Sequence, residues 1–283
     1  VENGFLFFIY SKGEKQTMIT AESIFFDVQK IRSEAPLIHN ITNYVAMNTT
    51  ANALLSIGAS PVMAHAIEEV AEMASIAQAL VINIGTLSQP WIESMIQAAK
   101  AAKKKNIPII LDPVGAGATK FRTDTAHRLL VEAPPAIIRG NASEIRALYH
   151  AEGTTKGVDS TYRSDEAVDA AKALSKQYNC VVSVSGEVDV IIENDRCIRI
   201  HNGHPLMPKV TGLGCTASAL TGAFAAVNPS PIVAATHAMA VMGIAGEIAA
   251  KKAKGPGTLQ LYFLDALYQL QEADIKKRLR VEQ

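Results

Sequence analysis

Ile107-Pro108-Ile109-Ile110-Leu111-Asp112-Pro113-Val114-Gly115-Ala116-Gly117-Ala118 is the stretch that decides the fold. A short apolar run ends on an aspartate, then enters a turn rich in Pro and Gly. Continuously apolar strands belong to sheets whose two faces are both covered, which are mostly parallel. An aspartate at the end of such a strand points into the crevice where open α/β sheets bind ligands. There Asp112 is a candidate to hold a phosphate-bound Mg2+ or its water. The plainer alternative is a shaped turn in which the aspartate caps a neighbouring helix.

Working outward, short apolar runs at 37–41, 60–64, 80–84, 107–111, 136–139, 180–185, 188–193 and 197–201 predict strands. Helical patterns fall between them at 44–56, 68–77, 90–105, 124–132, 142–149 and 165–178. Strand alternating with helix predicts an α/β fold: a mostly parallel sheet flanked by helices on both faces. The pair 181–185 and 188–192, joined through Gly186-Glu187, predicts an antiparallel excursion at one edge. No Pro-, Gly- or Ser-rich linker divides the chain, so residues 18–283 read as a single domain. The polar stretch 152–164 is the best loop candidate.

The second informative segment is Val210-Thr211-Gly212-Leu213-Gly214-Cys215-Thr216, followed by a run of small apolar residues to Val227. Glycines let backbone N–H groups converge on an anion, and the start of the following helix adds partial positive charge. Cys215 then sits in the first turn, where a thiol's pKa tends to fall. The segment is neither a Walker A loop nor the dinucleotide fingerprint, and Gly-x-Gly alone is weak. Gly212, Gly214 and Cys215 are candidates for holding a transferring phosphoryl group beside an acceptor hydroxyl.

Three more segments sit just past predicted strands. Asn141 and Glu144 have the spacing of a capping box, and the same spacing could aim them at a hydrated Mg2+. Asn43 offers a donor and an acceptor to a small polar ligand, or caps a helix. Met63 could line an apolar substrate pocket, although most methionines so placed are core. His201 and His204 lack a second pair of ligands nearby and read as a turn between strands.

Lys+Arg and Asp+Glu both count 27, so nothing calls for nucleic acid or an anionic membrane as partner. The three cysteines, Cys180, Cys197 and Cys215, form no C-x-x-C and suit a reduced, cytoplasmic chain. The apolar run 232–250 is interrupted by His237 and Glu247 and reads as a buried or interface helix. Residues 1–17 make a poor signal peptide and read as a vector-derived or unstructured tail before Met18.

Taken together, these segments resemble the ribokinase-like superfamily and, within it, the hydroxyethylthiazole kinase family. The likeness is carried in order by Asn40-Ile41-Thr42-Asn43, Gly58-Ala59-Ser60-Pro61-Val62-Met63-Ala64 and Asn83-Ile84-Gly85-Thr86-Leu87. It continues through 112–118, Arg139-Gly140-Asn141-Ala142-Ser143-Glu144, Gly186-Glu187-Val188-Asp189 and 211–215. The resemblance implies ATP-dependent phosphorylation of the hydroxyl of 4-methyl-5-(2-hydroxyethyl)thiazole with Mg2+. It implies that Met63 and Gly212 contact the thiazole, and that Arg122 and Ser185 contact ATP. Asp112 and Glu144 are then the acids near Mg2+ and phosphate, and the assembly a homotrimer with sites between subunits. Leu213 stands where Ala is usual, and Ser185 where Thr is common. Most ribokinase-like kinases carry Asp at the position of Cys215; a thiol of pKa about 8.5 is only a few per cent ionised at neutral pH. Cys215 is therefore expected to position the hydroxyl, with some basic character. Three alternatives share the scaffold: a kinase for another small heteroaromatic alcohol, a nucleotide-dependent dehydratase, and a non-catalytic thiazole- or nucleotide-binding protein.

Overall fold

The computed structural model describes residues 18–151 and 163–283. Residues 1–17 and nearly all of the 152–164 loop candidate lie outside the described residues. In chain order the elements are α1 (Ala21–Glu34), β1 (Leu37–Ile41), α2 (Met47–Ile57), β2 (Ser60–Val62), α3 (Val70–Ile76), β3 (Ala79–Asn83), α4 (Gln89–Lys105), β4 (Ile109–Asp112), α5 (Lys120–Glu132), β5 (Ile137–Asn141) and α6 (Ala142–His150). Then follow α7 (Arg163–Tyr178), β6 (Val181–Ser185), β7 (Asp189–Glu193), β8 (Arg196–Ile200), α8 (Leu213–Val227), α9 (Pro231–Ala250), α10 (Pro256–Gln269), α11 (Glu272–Arg278) and β9 (Val281–Glu282).

The described strands form one sheet in the order β2-β1-β3-β4-β5-β6-β7-β8-β9. Pairing is parallel from β2 through β6 and antiparallel from β6 to β9. The expected parallel sheet with an antiparallel edge is what forms. Alternation along each strand feeds two cores. Ile38, Val81, Ile110, Ile137 and Val181 face a layer containing α1, α2, α8, α9, α10 and α11. Leu80, Ile82, Ile109, Leu111, Ile138 and Val182 face the layer of α3 to α7.

Helix α8 lies directly on the sheet because Gly222 lets it approach. A Cβ at Gly222 would stand 2.7 Å from Val81 Cγ2 and 3.3 Å from Ile38 Cγ2. Helix α9 is long and apolar enough to cross a membrane, but 89% of its most apolar window is buried inside the protein. It is a core helix, as its sequence suggested.

Several boundaries differ from expectation. Helix α2 starts at Met47 rather than 44, because residues 44–46 form a turn closed by Ala46 N donating to Asn43 Oδ1 at 3.0 Å. Helix α5 starts at Lys120 rather than 124, because Thr119 caps it by accepting from Arg122 N. Helix α1, with a Thr20–Ser23 capping box, and the two-residue strand β9 were not anticipated. His201 and His204 do not join two strands: they follow β8 and lead into a 3-10 turn at Met207–Lys209.

Candidate active site

The alternation that fills the core also builds the site. On the α8 side of the sheet, each apolar residue is followed two positions later by a polar one at the strand's carboxyl end. The pairs are Ile38 and Asn40, Val81 and Asn83, Ile110 and Asp112, Ile137 and Arg139, Val181 and Ser183. A period of two keeps both members on one face. The buried polar ends therefore gather under the start of α8.

Two of them, Asn83 and Asp112, join Asn43, Cys215 and Ser218 in a continuous network. Ser218 Oγ donates to Asp112 Oδ2 at 2.7 Å, and Asn83 Nδ2 donates to the same oxygen at 2.8 Å. Asn43 Nδ2 donates to Asn83 Oδ1 at 2.9 Å and to Cys215 Sγ at 3.2 Å. Asp112 is fully buried. Desolvation pushes its carboxyl up to about 6, against the pull of Arg139 and the Ser218 hydrogen bond. The Cys215 thiol is also pushed up, by burial first and by the Asp112 charge second. This corrects the expectation that a first-turn thiol is acidified. Hydrogen bonds from Asn43 and Asn83 and the charge of Arg139 act in the acidifying direction and are outweighed.

Helix α8 begins without a side-chain cap. Gly212 occupies the N-cap position with φ 81°, and the first intrahelical bond runs from Thr216 N to Gly212 O at 2.8 Å. The amides of Leu213, Gly214 and Cys215 precede that bond and are free to bind an anion. Arg139, 7% exposed, lies beside them: a Cβ at Gly214 would stand 3.1 Å from its Nη1. Its Nε has no hydrogen-bond partner among the described residues. Arg139 also acts electrostatically on Asp189, a buried acid pushed up to about 6 by desolvation.

Glu144 closes the capping box and braces the turn after β4. Its Oε2 accepts from Asn141 N at 2.8 Å and its Oε1 from Gly115 N at 2.9 Å. It also acts electrostatically on Asp112. Asn43, Gly212, Gly214, Cys215, Asp112 and Glu144 thus converge. Ser185 ends β6 next to this group, its Oγ 3.4 Å from Gly140 O. Met63 follows the edge strand β2 and is half-buried. Arg122 lies in the first turn of α5. Its guanidinium bridges the loops after β3 and β4, donating to Ile84 O, Val114 O and Gly85 O at 3.0, 2.7 and 2.9 Å. Arg139 and Asn83 are site residues that the sequence reading quoted but gave no role. The signal was available: each is a polar side chain two positions after a core residue at a strand end.

Comparison with known proteins supplies the family. Residues 28–273 match the model of the hydroxyethylthiazole kinase family. A hydroxyethylthiazole kinase of Syntrophus aciditrophicus is 63% identical over 93% of this chain and 98% of its own. One from Nitratidesulfovibrio vulgaris is 55% identical over 92% and 97%. The solved hydroxyethylthiazole kinase of Pyrococcus horikoshii superposes with a TM-score of 0.86 at 44% identity, covering 92% of this chain and 98% of that one. An ADP complex of Bacillus subtilis pyridoxal kinase, 16% identical with a TM-score of 0.58, shares the fold. On the family match and these relatives, the chain belongs to the hydroxyethylthiazole kinase family.

Proposed function

We propose that the chain transfers the γ-phosphoryl group of ATP to the side-chain hydroxyl of 4-methyl-5-(2-hydroxyethyl)thiazole, with Mg2+, as a thiamin-salvage kinase. One observation carries this reading. The uncapped start of α8, the buried Arg139 and the Asp112–Cys215 network meet at one point at the carboxyl end of the sheet.

The donor set fits Mg2+, which takes one or two carboxylates together with phosphate oxygens and water. Asp112 and Glu144 would hold it, Asp112 being a buried acid whose charge a cation offsets. When bound, Mg2+ neutralises charge on the polyphosphate. The amides of Leu213, Gly214 and Cys215 cradle the migrating phosphoryl group. Arg139 faces its oxygens, and Arg122, anchored on three loop carbonyls, keeps two of its five N–H groups for the nucleotide. Ser185 serves the nucleotide, and Gly212 and Met63 the thiazole ring.

Asn43 and Cys215 face the acceptor alcohol. A thiol pushed up by burial is protonated at neutral pH, so Cys215 orients the hydroxyl. Phosphoryl transfer through a loose transition state asks mainly for positioning and charge stabilisation. As the new O–P bond forms, the bond from the γ-phosphorus to the bridging oxygen breaks and ADP leaves, while the hydroxyl proton passes to the phosphoryl oxygens and solvent.

A homotrimer with sites between subunits is the matching assembly. Tyr44 and Val45, next to Asn43, are 64% and 66% exposed apolar side chains beside the site. Free Cys180, Cys197 and Cys215 suit the reducing cytoplasm. The test is an ADP-coupled assay with ATP and a panel of alcohols. The thiazole alcohol should give the highest kcat/KM. A faster reaction with pyridoxal or a hydroxymethylpyrimidine would reassign the substrate. Turnover of a hydrated nicotinamide nucleotide, or saturable binding with no ADP, would overturn the kinase reading. Light scattering of the purified chain reads the assembly.

A further inference from the structure

The motif Asn83-Ile84-Gly85 is quoted for family likeness, yet the reaction as described gives it no part. Its geometry does. Asn83 ends the central strand β3 and is 1% exposed. Its carboxamide orientation is fixed, because Oδ1 accepts from Asn43 Nδ2 and from Gly85 N, both at 2.9 Å. Nδ2 must then face Asp112 Oδ2, to which it donates at 2.8 Å. Asn43 is fixed in the same way. Its Oδ1 accepts from Ala46 N at 3.0 Å, so its two N–H groups go to Asn83 and to Cys215. Among the described residues, Asn83 is therefore the one side chain bonded both to the acid on the phosphate side and to the amide that grips the thiol.

Gly85 keeps room for this arrangement. A Cβ there would stand 2.6 Å from Asn43 Nδ2 and 2.9 Å from Asn83 Oδ1. Those are polar atoms in the middle of the relay, not a flexible side-chain end.

We propose that Asn83 is a positioning residue for phosphoryl transfer: it sets the distance between the Asp112 carboxylate and the Cys215 thiol, and Gly85 gives it the space to do so. Asn83 acts through Asp112 and Asn43, to which it is bonded, so its loss is felt in turnover rather than in binding. Small misplacements of reacting groups cost about 10²-fold in rate. The inference rests on the kinase reading above.

The experiment compares Asn83→Leu, Asn83→Asp, Gly85→Ala and wild type in the ADP-coupled assay. Asn83→Leu should lower kcat about 10- to 100-fold, with both KM values within about threefold. Placed in a Cys215→Ala background, the same change should cost less than about threefold, because the thiol it positions is gone. Asn83→Asp keeps the size of the side chain and loses the Nδ2 donor to Asp112, so it should lower kcat as Asn83→Leu does. Gly85→Ala disturbs the relay from a loop and leaves β3 intact, so it carries the test if the Asn83 variants do not fold. It should lower kcat of the folded fraction about tenfold, with a fall in melting temperature set by the displaced Asn43 and Asn83 side chains. Wild-type kcat in Gly85→Ala and Asn83→Leu, or losses confined to KM, would overturn the proposal. A wild-type chain that forms no ADP from the thiazole alcohol overturns the kinase reading instead. The relay is then read from alkylation of Cys215 by iodoacetamide, which Asn83→Leu should change more than about threefold and Ser23→Ala, in the cap of α1 away from the site, should not. Equal rates in all three chains would overturn it.

Discussion

Two buried polar clusters contain an acid and a potential nucleophile, and only one of them is at the crevice. In the first, Cys215, Asn43, Asn83, Asp112 and Ser218 run beneath the start of α8. In the second, His237 on α9 lies 2.7 Å from Asp27 and 3.3 Å from Ser23, both on α1. By side-chain spacing alone the second is the better match to a hydrolase triad. Its atoms are committed elsewhere, however. Ser23 Oγ accepts from Thr20 N and donates to Thr20 O, as part of the cap of α1. Asp27 also accepts from Asn228 at 2.6 Å. The cluster fastens α1 to α9 within one helical layer. The first cluster lies where strands end, beside an uncapped helix start and a buried guanidinium. A polar cluster becomes a reaction site through what it adjoins, and the distances inside it are not enough.

Substitutions should separate the two clusters. Arg139→Met should produce the largest change, a fall in kcat of about 10²- to 10³-fold, since it removes fixed charge from the transferring group. Cys215→Ala should lower kcat about 10- to 100-fold and leave ATP affinity nearly intact, whereas Cys215→Asp should retain activity. An unchanged turnover in Cys215→Ala would remove the thiol from the chemistry. In the other cluster, Asp27→Ala should cost about 3–5 kcal/mol in urea unfolding, because His237 and Asn228 lose a buried partner. The folded fraction should turn over at the wild-type rate. Ser23→Ala should be the mildest, about 1 kcal/mol for a weakened helix cap, with no kinetic change. A kinetic defect in either of these two variants would erase the contrast.

Acidity sharpens the same comparison. The Asp112 carboxyl has its folded value raised from 3.8 to about 6. Its contribution to stability is therefore full below 3.8 and is lost as pH rises through about 6. Activity runs the other way, because the ionised carboxylate is the working form. The kcat/KM profile, which reports the free enzyme, should fall on the acid side near pH 6 while urea stability gains from the same protonation. A profile flat to pH 5 would show that Asp112 titrates outside the working range.

Much of this was legible in the sequence. The run 107–111 gave β4 within two residues, and the Gly-x-Gly before Cys215 located the start of α8. What escaped was of two kinds. Short or cap-defined elements, such as β9 with two residues and the Thr119 start of α5, depend on pairing and side-chain bonds that periodicity does not register. The acidity of Cys215 depends on burial and on Asp112, which lies 103 positions earlier in the chain. Arg122 and Arg139 both look available for phosphate as letters. Only the fold shows one anchored on loop carbonyls and the other held beside the helix start.

The central claim concerns where the phosphate sits. A crystal structure with a non-hydrolysable ATP analogue and the thiazole alcohol tests it most directly. The γ-phosphate should lie on the amides of Leu213, Gly214 and Cys215 with Arg139 against it, and the alcohol oxygen should face Sγ. A γ-phosphate bound away from the start of α8 would contradict the account.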